Sequence, residues 1–222
     1  MSGFLSESAE RLLALGNPDP DPVLEEMTTY GREQGFPTVG PAVGQFLSVA
    51  AAMVGAKRVF EFGSGFGYSA AWFAQALGPD SELVLTDYRE ENLDRARDFF
   101  DELEYEGRVR YEVGDALAGF DETDGPFDVI LIDLDKHAYP SAWERSMGRT
   151  APGGLIIADN MMGGPVTPAG VVEALEGDGA PDEATQGVAA YIERMRSTPE
   201  YRSALVPLGQ GIAVSLRTER EA

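Results

Sequence analysis

Residues 59–69 (VFEFGSGFGYS) constrain the fold of this chain more than any other stretch. A short run of β-branched and aromatic residues is followed at once by three alternating glycines and then by a helical pattern over residues 70–77. This order is typical of a strand, a tight turn and a helix. Glycines let the backbone turn sharply and let a ligand lie against bare main chain, close to the N–H groups of the helix start. The stretch therefore predicts the first half of a nucleotide-binding βαβ unit.

The residues around the glycines indicate which ligand the turn would hold. A second apolar run, residues 82–87, ends in Asp87, roughly 20 residues beyond the glycines, where a carboxylate can bind ribose hydroxyls. The dinucleotide fingerprint requires a glycine where this chain has Tyr68, and the third glycine is Gly67 instead. Glu61 precedes the turn and adds a negative charge. This variant favours a cationic ligand without a pyrophosphate, such as S-adenosylmethionine.

Composition excludes several classes of protein. The 222 residues include no cysteine, so disulfides, a thiolate nucleophile and Cys-ligated zinc are ruled out, and the single His137 cannot build a His-rich site. With 17 basic and 38 acidic residues the net charge is -21, so we expect no nucleic-acid partner. Lys57 and Lys136 are the two lysines. Acidic excess with so few lysines predicts a halophilic source, in which salt screens the self-repulsion.

The length fits one domain over residues 1–222, with a helical extension at 1–56 and a core at 57–218. No run approaches the roughly 20 apolar residues of a membrane span, and the start of the chain lacks a basic-then-apolar signal segment. We therefore expect a cytoplasmic protein with no membrane partner.

Apolar runs alternate with helical patterns from residue 58 onwards, which predicts an α/β fold. The expected architecture is a Rossmann-like, doubly wound, mostly parallel seven-stranded sheet with a C-terminal antiparallel hairpin and N-terminal helices. Predicted strands are 58–62, 82–87, 108–113, 127–133, 154–159, 203–208 and 212–216. Predicted helices are 2–15, 22–34, 41–54, 67–78, 90–105, 136–150 and 184–198. Residues 161–183, rich in Gly, Pro and acids, are expected to form a long loop beside the carboxyl ends of the strands.

Polar side chains follow two of the predicted strands. Asp133, Asp135 and Lys136 come after one apolar run, and Asp159 and Asn160 come after the next. Because ligands bind at the carboxyl ends of the strands in open parallel sheets, and consecutive strands are usually neighbours, these groups are expected to converge. Oxygen donors without nitrogen or sulfur suit a hard cation such as Mg²⁺. The alternative is that each aspartate caps the helix that follows it.

The motifs together resemble those of a known family. Residues 133–139 (DLDKHAY) resemble the Asp-x-Asp-Lys-x-x-Tyr motif of the cation-dependent O-methyltransferases of the catechol and caffeoyl-CoA type. Further similarity lies in residues 61–69, in Asp159-Asn160 followed by Gly163-Gly164, and in residues 207–211 (PLGQG). The resemblance covers roughly residues 38–217; Leu134 replaces a small residue of the family and the 161–183 segment matches poorly. It implies a Rossmann-like fold that binds S-adenosylmethionine and a divalent metal, commonly as a dimer.

The resemblance also implies roles for individual residues. Lys136 would be the catalytic base, with Asp133 as the second catalytic residue. The implied metal ligands are Asp133, Asp159 and Asn160, for Mg²⁺ first and Mn²⁺ or Ca²⁺ as alternatives. The implied cofactor-binding residues are Glu61, Gly63, Ser64, Gly65, Gly67, Ser69, Asp87, Tyr88, Asp115, Ala116, Asp133 and Asp135. Among them, Glu61, Gly63 and Ser69 would meet the methionine part, Asp87 the ribose and Asp115 the adenine.

The leading hypothesis is a metal-dependent methyltransferase acting on a hydroxyl of a small catechol-like aromatic acceptor. Trp143, Tyr139 and Phe36 are candidates for the wall around that acceptor, although such aromatic residues are more often part of the core. An enzyme of the same fold acting on an RNA hydroxyl and a non-catalytic sensor that holds the cofactor or a nucleotide are the alternatives. A nicotinamide dehydrogenase is disfavoured by Tyr68 and by the lack of a catalytic Tyr-x-x-x-Lys.

Overall fold

The computed structural model describes residues 6–177, 179 and 181–218. A seven-stranded sheet runs through the described residues in the order β3-β2-β1-β4-β5-β7-β6. Its strands are β1 (Arg58–Phe62), β2 (Glu82–Asp87), β3 (Arg108–Val113), β4 (Phe127–Ile132), β5 (Thr150–Ala158), β6 (Tyr201–Val206) and β7 (Ile212–Arg217). Strands β1 to β5 pair parallel with one another, and β7 pairs antiparallel with both β5 and β6. This confirms the predicted fold class.

Helices cover both faces of the sheet. Three precede it, α1 (Glu7–Gly16), α2 (Pro22–Gln34) and α3 (Gly40–Met53). The others are α4 (Tyr68–Ala74), α5 (Glu90–Glu102), α6 (Ala116–Glu122), α7 (Tyr139–Met147), α8 (Pro168–Glu176) and α9 (Glu183–Ser197), and a single 3₁₀ turn (Lys136–Ala138) leads into α7. Residues 2–5 of the predicted first helix lie outside the described residues. Within the described ranges, no helix is long and apolar enough to cross a membrane.

The core has two halves because successive residues of a strand point to opposite faces. In β4, Val129 and Leu131 pack with α2, α3, α4 and α5, whereas Ile130 and Ile132 pack with α6, α7, α8 and α9. A strand buried on both faces is apolar along its buried length, as β4 is from Val129 to Ile132.

The strand order reverses between β1 and β4, the two central strands. Backbone bonds hold the residues just beyond these strands level with one another: Asp133 N donates to Phe62 O at 2.9 Å and Asp159 N donates to Ile132 O at 3.1 Å. The chain segments that leave β1, β4 and β5 therefore meet at the carboxyl ends of these strands. Ligands of open α/β sheets bind at such a crossover point.

The prediction of a loop over residues 161–183 is wrong for residues 168–176, which form α8. Its boundaries follow standard signals, since the Thr167 side chain accepts a bond from Gly170 N, Pro168 takes the first turn and Gly177 ends the helix at φ 90°. The short helix α6 was not predicted. The first hairpin strand begins two residues earlier than the predicted 203–208, and the predicted helix 136–150 is divided into the 3₁₀ turn and α7.

Candidate active site

A cavity of about 610 Å³ opens at the carboxyl edge of the central strands. Its wall combines the loops after β1, β2, β3, β4 and β5 with residues 36–38, which join α2 to α3. Predicted site residues on this wall are Gly63, Gly65, Asp87, Tyr88, Asp115, Ala116, Asp133, Asp135, Lys136, Asp159 and Asn160. Residues separated by up to about a hundred positions in the sequence thus share one concave surface of a size suited to a small ligand.

The turn after β1 needs glycine at two positions, both because the backbone has positive φ there and because neighbouring atoms leave no room for a Cβ. Gly63 has φ 82°, and a Cβ there would lie 2.3 Å from the carbonyl oxygen of Asp133. Gly65 has φ 53°, and a Cβ there would lie 2.6 Å from the ring of Phe36. Thr86 fixes the turn to β2, since its Oγ1 accepts from Gly63 N at 3.1 Å and donates to Glu61 O at 2.7 Å. Any side chain at these glycines would close the gap between the turn and its neighbours.

Glu61 is buried beneath this turn. The hydroxyl of Ser69 donates to its Oε1, whereas its Oε2 has no hydrogen-bond partner among the described residues. Burial raises the pKa of the Glu61 carboxyl to about 7, against the lowering effect of the Ser69 and Ser64 hydrogen bonds. Ser64 and Ser69 line a space of about 30 Å³ next to Asp133. A buried carboxyl with a free oxygen is suited to bind a cationic group.

Asp87 is held in place at the end of β2. Its Oδ2 accepts from Gly65 N at 3.1 Å, and its Oδ1 accepts from Arg89 N at 2.8 Å and from Asn92 Nδ2 at 2.9 Å. These bonds orient the carboxylate on the cavity wall.

Three other predicted cofactor residues lie along the same side of the cavity. Tyr88 is largely exposed, Asp115 caps α6 by accepting from Leu117 N at 2.9 Å, and Ala116 begins that helix. Asp115 therefore does serve as a helix cap, the alternative role considered for strand-end aspartates, while also facing the cavity.

Lys136 is a buried ammonium at the centre of the polar cluster. Its Nζ donates to Asn160 Oδ1 at 2.9 Å and to the Tyr139 hydroxyl, lies 3.4 Å from the Asp159 carbonyl oxygen and forms an ion pair of 3.5 Å with Asp133 Oδ1. The Tyr139 hydroxyl donates in turn to Asp159 O at 2.9 Å. The residues following β4 and β5 therefore do converge, as predicted from their positions after the two strands.

Burial shapes the charge of this cluster. It lowers the pKa of the Lys136 ammonium, and the nearby Asp133 and Asp159 carboxylates act in the opposite direction. Burial, together with the charge of Asp133, raises the pKa of Asp159 to about 7. An amine and a carboxyl that both titrate closer to neutral pH than usual are typical of sites that transfer protons.

The donor set in this cluster fits a hard divalent cation. Asp133, Asp159 and Asn160 offer carboxylate and amide oxygens, and Asp159 Oδ1 is buried with no hydrogen-bond partner in the described part of the chain. Asn160 adopts φ 54°, and its Nδ2 donates to Gln210 Oε1 at 3.4 Å. Among the described residues no three His, Asp or Glu side chains form a metal-binding group, so Asn160 would have to complete this one.

The sequence model of one protein family, described as O-methyltransferase, matches residues 19–218. The chain belongs to the O-methyltransferase family. The predicted family and enzyme class, that of the S-adenosylmethionine-dependent O-methyltransferases, are thereby confirmed.

Individual relatives agree with this assignment. A catechol O-methyltransferase from Niastella koreensis is 32% identical over 148 residues, which are 64% of this chain and 67% of that protein. The caffeoyl-CoA O-methyltransferase 2 of Zea mays is 32% identical over 125 residues, 54% of this chain and 47% of its own length. The chain thus spans about half of the maize protein. The crystal structure of an O-methyltransferase from Bacillus cereus in complex with SAH superimposes with a TM-score of 0.83 at 25% identity, covering 95% of this chain and 97% of that one.

Some predicted residues of this O-methyltransferase lie away from the main cavity. Glu61, Ser64, Gly67 and Ser69 are not part of its wall; Gly67 instead begins α4 at φ 82° and packs against Ala96. The proposed aromatic wall is only partly present. Phe36 lines the cavity of the O-methyltransferase, whereas Tyr139 and Trp143 are fully buried in the core.

Sequence reasoning missed three residues that support the site. Thr86 anchors the glycine turn, Gln210 binds Asn160, and Gly187 in α9 lies directly against the backbone of Lys136. A Cβ at Gly187 would lie 2.1 Å from Lys136 O. The motif 207–211 gave a signal for Gln210, but nothing close in sequence connects Gly187 with Lys136.

Proposed function

We propose that this O-methyltransferase transfers the methyl group of S-adenosylmethionine to a hydroxyl of a small aromatic acceptor with neighbouring hydroxyls, with the help of a divalent cation. The observation that carries the proposal is the buried contact of Lys136 with Asp133, Asn160 and the Asp159 carbonyl, on the wall of the cavity that also contains Asp87. A base, a set of hard oxygen donors and a ribose-binding carboxylate are what such a reaction needs in one place.

The residues around the glycine turn are proposed to bind the methyl donor. Glu61, with its free oxygen, would bind the ammonium group of the methionine part, and Gly63, Ser64, Gly65, Gly67 and Ser69 would leave room for it. Asp87 would bind the ribose hydroxyls and Asp115 would lie by the adenine. The further cofactor-binding residues would be Tyr88, Ala116, Asp133 and Asp135. The Bacillus cereus relative in complex with SAH supports this choice of ligand.

Asp133, Asp159 and Asn160 are proposed to hold the cation, Mg²⁺ first and Mn²⁺ or Ca²⁺ as alternatives. The oxygen-only donor set and the partnerless Asp159 Oδ1 support this role. A bound divalent cation would lower the pKa of a hydroxyl on the acceptor.

Lys136 is proposed to take the proton of the acceptor hydroxyl. Burial lowers the pKa of its ammonium, so the neutral amine is more accessible than in an exposed lysine. The acceptor oxygen would then bond to the methyl carbon of the donor as the bond from that carbon to sulfur breaks. The walls of the cavity contribute by holding donor and acceptor in contact, which is a large part of catalysis in bimolecular reactions.

The remaining features of the proposal concern partners and surroundings. A cavity of about 610 Å³ and the name of the Niastella koreensis relative support a small catechol-like acceptor. The net charge of -21 argues against nucleic acid. We also propose one domain over residues 1–222, a homodimer, and work in the cytoplasm of a halophile.

Methyl transfer to catechol, measured with S-adenosylmethionine and either Mg²⁺ or a chelator, tests the proposal. We expect methylated product with Mg²⁺ and its loss with the chelator. Lys136→Ala should lower turnover at least about 100-fold and leave S-adenosylmethionine binding, measured by calorimetry, almost unchanged. Equal loss of both would make Lys136 a structural residue, and chelator-resistant turnover would remove the metal from the proposal.

A further inference from the structure

The ammonium of Lys136 contacts the same groups that are proposed to hold the metal. Its Nζ is 2.9 Å from Asn160 Oδ1 and 3.5 Å from Asp133 Oδ1. Asp159, the third proposed ligand, presents its carbonyl oxygen to Nζ at 3.4 Å. A dication held by Asn160 and Asp133 would therefore share two oxygen atoms with a positive charge that belongs to the protein.

The lysine has little freedom to move away. Its side chain is 5% exposed, and the Tyr139 hydroxyl both accepts from Nζ and donates to Asp159 O. Behind the lysine, α9 packs so closely that only a glycine fits at position 187. Two positive charges confined to a buried site repel each other far more strongly than they would in water.

We propose that Lys136 sets the metal affinity of this site, because its ammonium competes with the divalent cation for Asn160 and Asp133 and keeps binding weaker than the ligands alone would allow. This inference rests on the proposed function, since it requires the three ligands to bind a metal. The same lysine that would serve as the base beside the acceptor therefore weakens the binding of the metal. A cation held in this way exchanges readily with the solvent.

A calorimetric titration of the whole protein with Mn²⁺ alone tests the competition. Lys136→Met removes the charge and keeps a long apolar side chain, so Mn²⁺ should bind at least about tenfold more tightly than to the wild type. Lys57→Met is the matched control, because it removes the other lysine, which is exposed and precedes β1. Its Mn²⁺ affinity should equal that of the wild type.

A second variant protects the test against a folding defect. Lys136→Gln keeps a group that can bond with Tyr139 and Asn160, and the shift in thermal midpoint on adding Mn²⁺ should again exceed that of the wild type. Equal or weaker Mn²⁺ binding by both variants at position 136 would overturn the competition and leave a metal-dependent reaction in place. Absence of Mn²⁺ binding in all the proteins, wild type included, would overturn both this inference and the metal ligands of the proposed function.

Discussion

Glu61 is a carboxyl group that the fold removes from water and leaves with one free oxygen. Its pKa rises from an ordinary value of 4.5 to about 7. Between these two pH values the folded protein binds a proton that the unfolded chain has lost, so the free energy of unfolding decreases as the pH rises. The stability from this group is complete below pH 4.5 and lost above pH 7, a change of about 3 kcal/mol.

We therefore expect Glu61→Gln to remove most of this pH dependence. Urea unfolding at pH 4.5 and pH 8, in the same salt, should show the wild type losing about 3 kcal/mol more than the variant. Burial also raises the pKa of Asp133 and Asp159, and both carboxyls are present in the two proteins, so the difference between the two losses reports on Glu61. A parallel loss in the two proteins would mean that Glu61 is charged at all these pH values.

At the scale of elements, α9 supports the turn that carries Lys136. The missing side chain of Gly187 allows the helix backbone to approach the 3₁₀ turn, where a Cβ would lie 2.1 Å from Lys136 O and 2.9 Å from the Cα of His137. One turn further along α9, Tyr191 packs edge-on against Tyr139 with ring centroids 5.8 Å apart. The helix thus fixes both the main chain of the lysine and the tyrosine that binds its Nζ.

Gly187→Ala should consequently push the turn away from α9. We expect a loss of roughly 1–3 kcal/mol in the free energy of unfolding and a marked decrease in turnover, with S-adenosylmethionine binding retained. Gly119→Ala, in α6, is the control: its Cβ would meet no atom closer than 3.9 Å, so this change should stabilise the protein by up to about 1 kcal/mol. Full turnover in Gly187→Ala would show that the position of the turn does not depend on α9.

The elements also show where sequence patterns stop being informative. β1, β2 and β3 match their predicted spans because a buried strand bounded by turn residues has a clear local signature. The helices α6 and α8 are short, with seven and nine residues, and α8 lies in a Gly- and Pro-rich region whose composition favoured a loop. Strand-end residues such as Asp133 and Asp159 were predictable from topology, whereas the packing of Gly187 on Lys136 joins positions that no periodic pattern connects.

The whole molecule carries a charge of -21 with arginine in place of most lysines. Ion pairs such as Arg58–Glu82 at 2.9 Å and Arg194–Glu144 at 2.7 Å neutralise only some of the acids. The remaining carboxylates repel one another over a distance set by the ionic strength, about 10 Å at 0.1 M salt and about 3 Å at 1 M. Salt should therefore stabilise the folded state relative to the unfolded chain.

We expect the thermal midpoint of unfolding to rise by several degrees between dilute buffer and 1 M potassium chloride. This corresponds to an increase on the order of 1 kcal/mol or more in the free energy of unfolding. Sucrose at matched osmolarity is the control, since it acts by exclusion from the protein surface and does not screen charge. A midpoint that stays constant or falls in potassium chloride would contradict the proposed halophilic source.

The two lysines of this chain lie at opposite ends of the central strands. Lys57 is exposed just before β1, while Lys136 is buried beyond the carboxyl end of β4, on the wall of the cavity. An amine-directed reagent should accordingly attach to the Lys57 side chain well before that of Lys136. A tether placed there would anchor the protein with the mouth of its cavity turned away from the support.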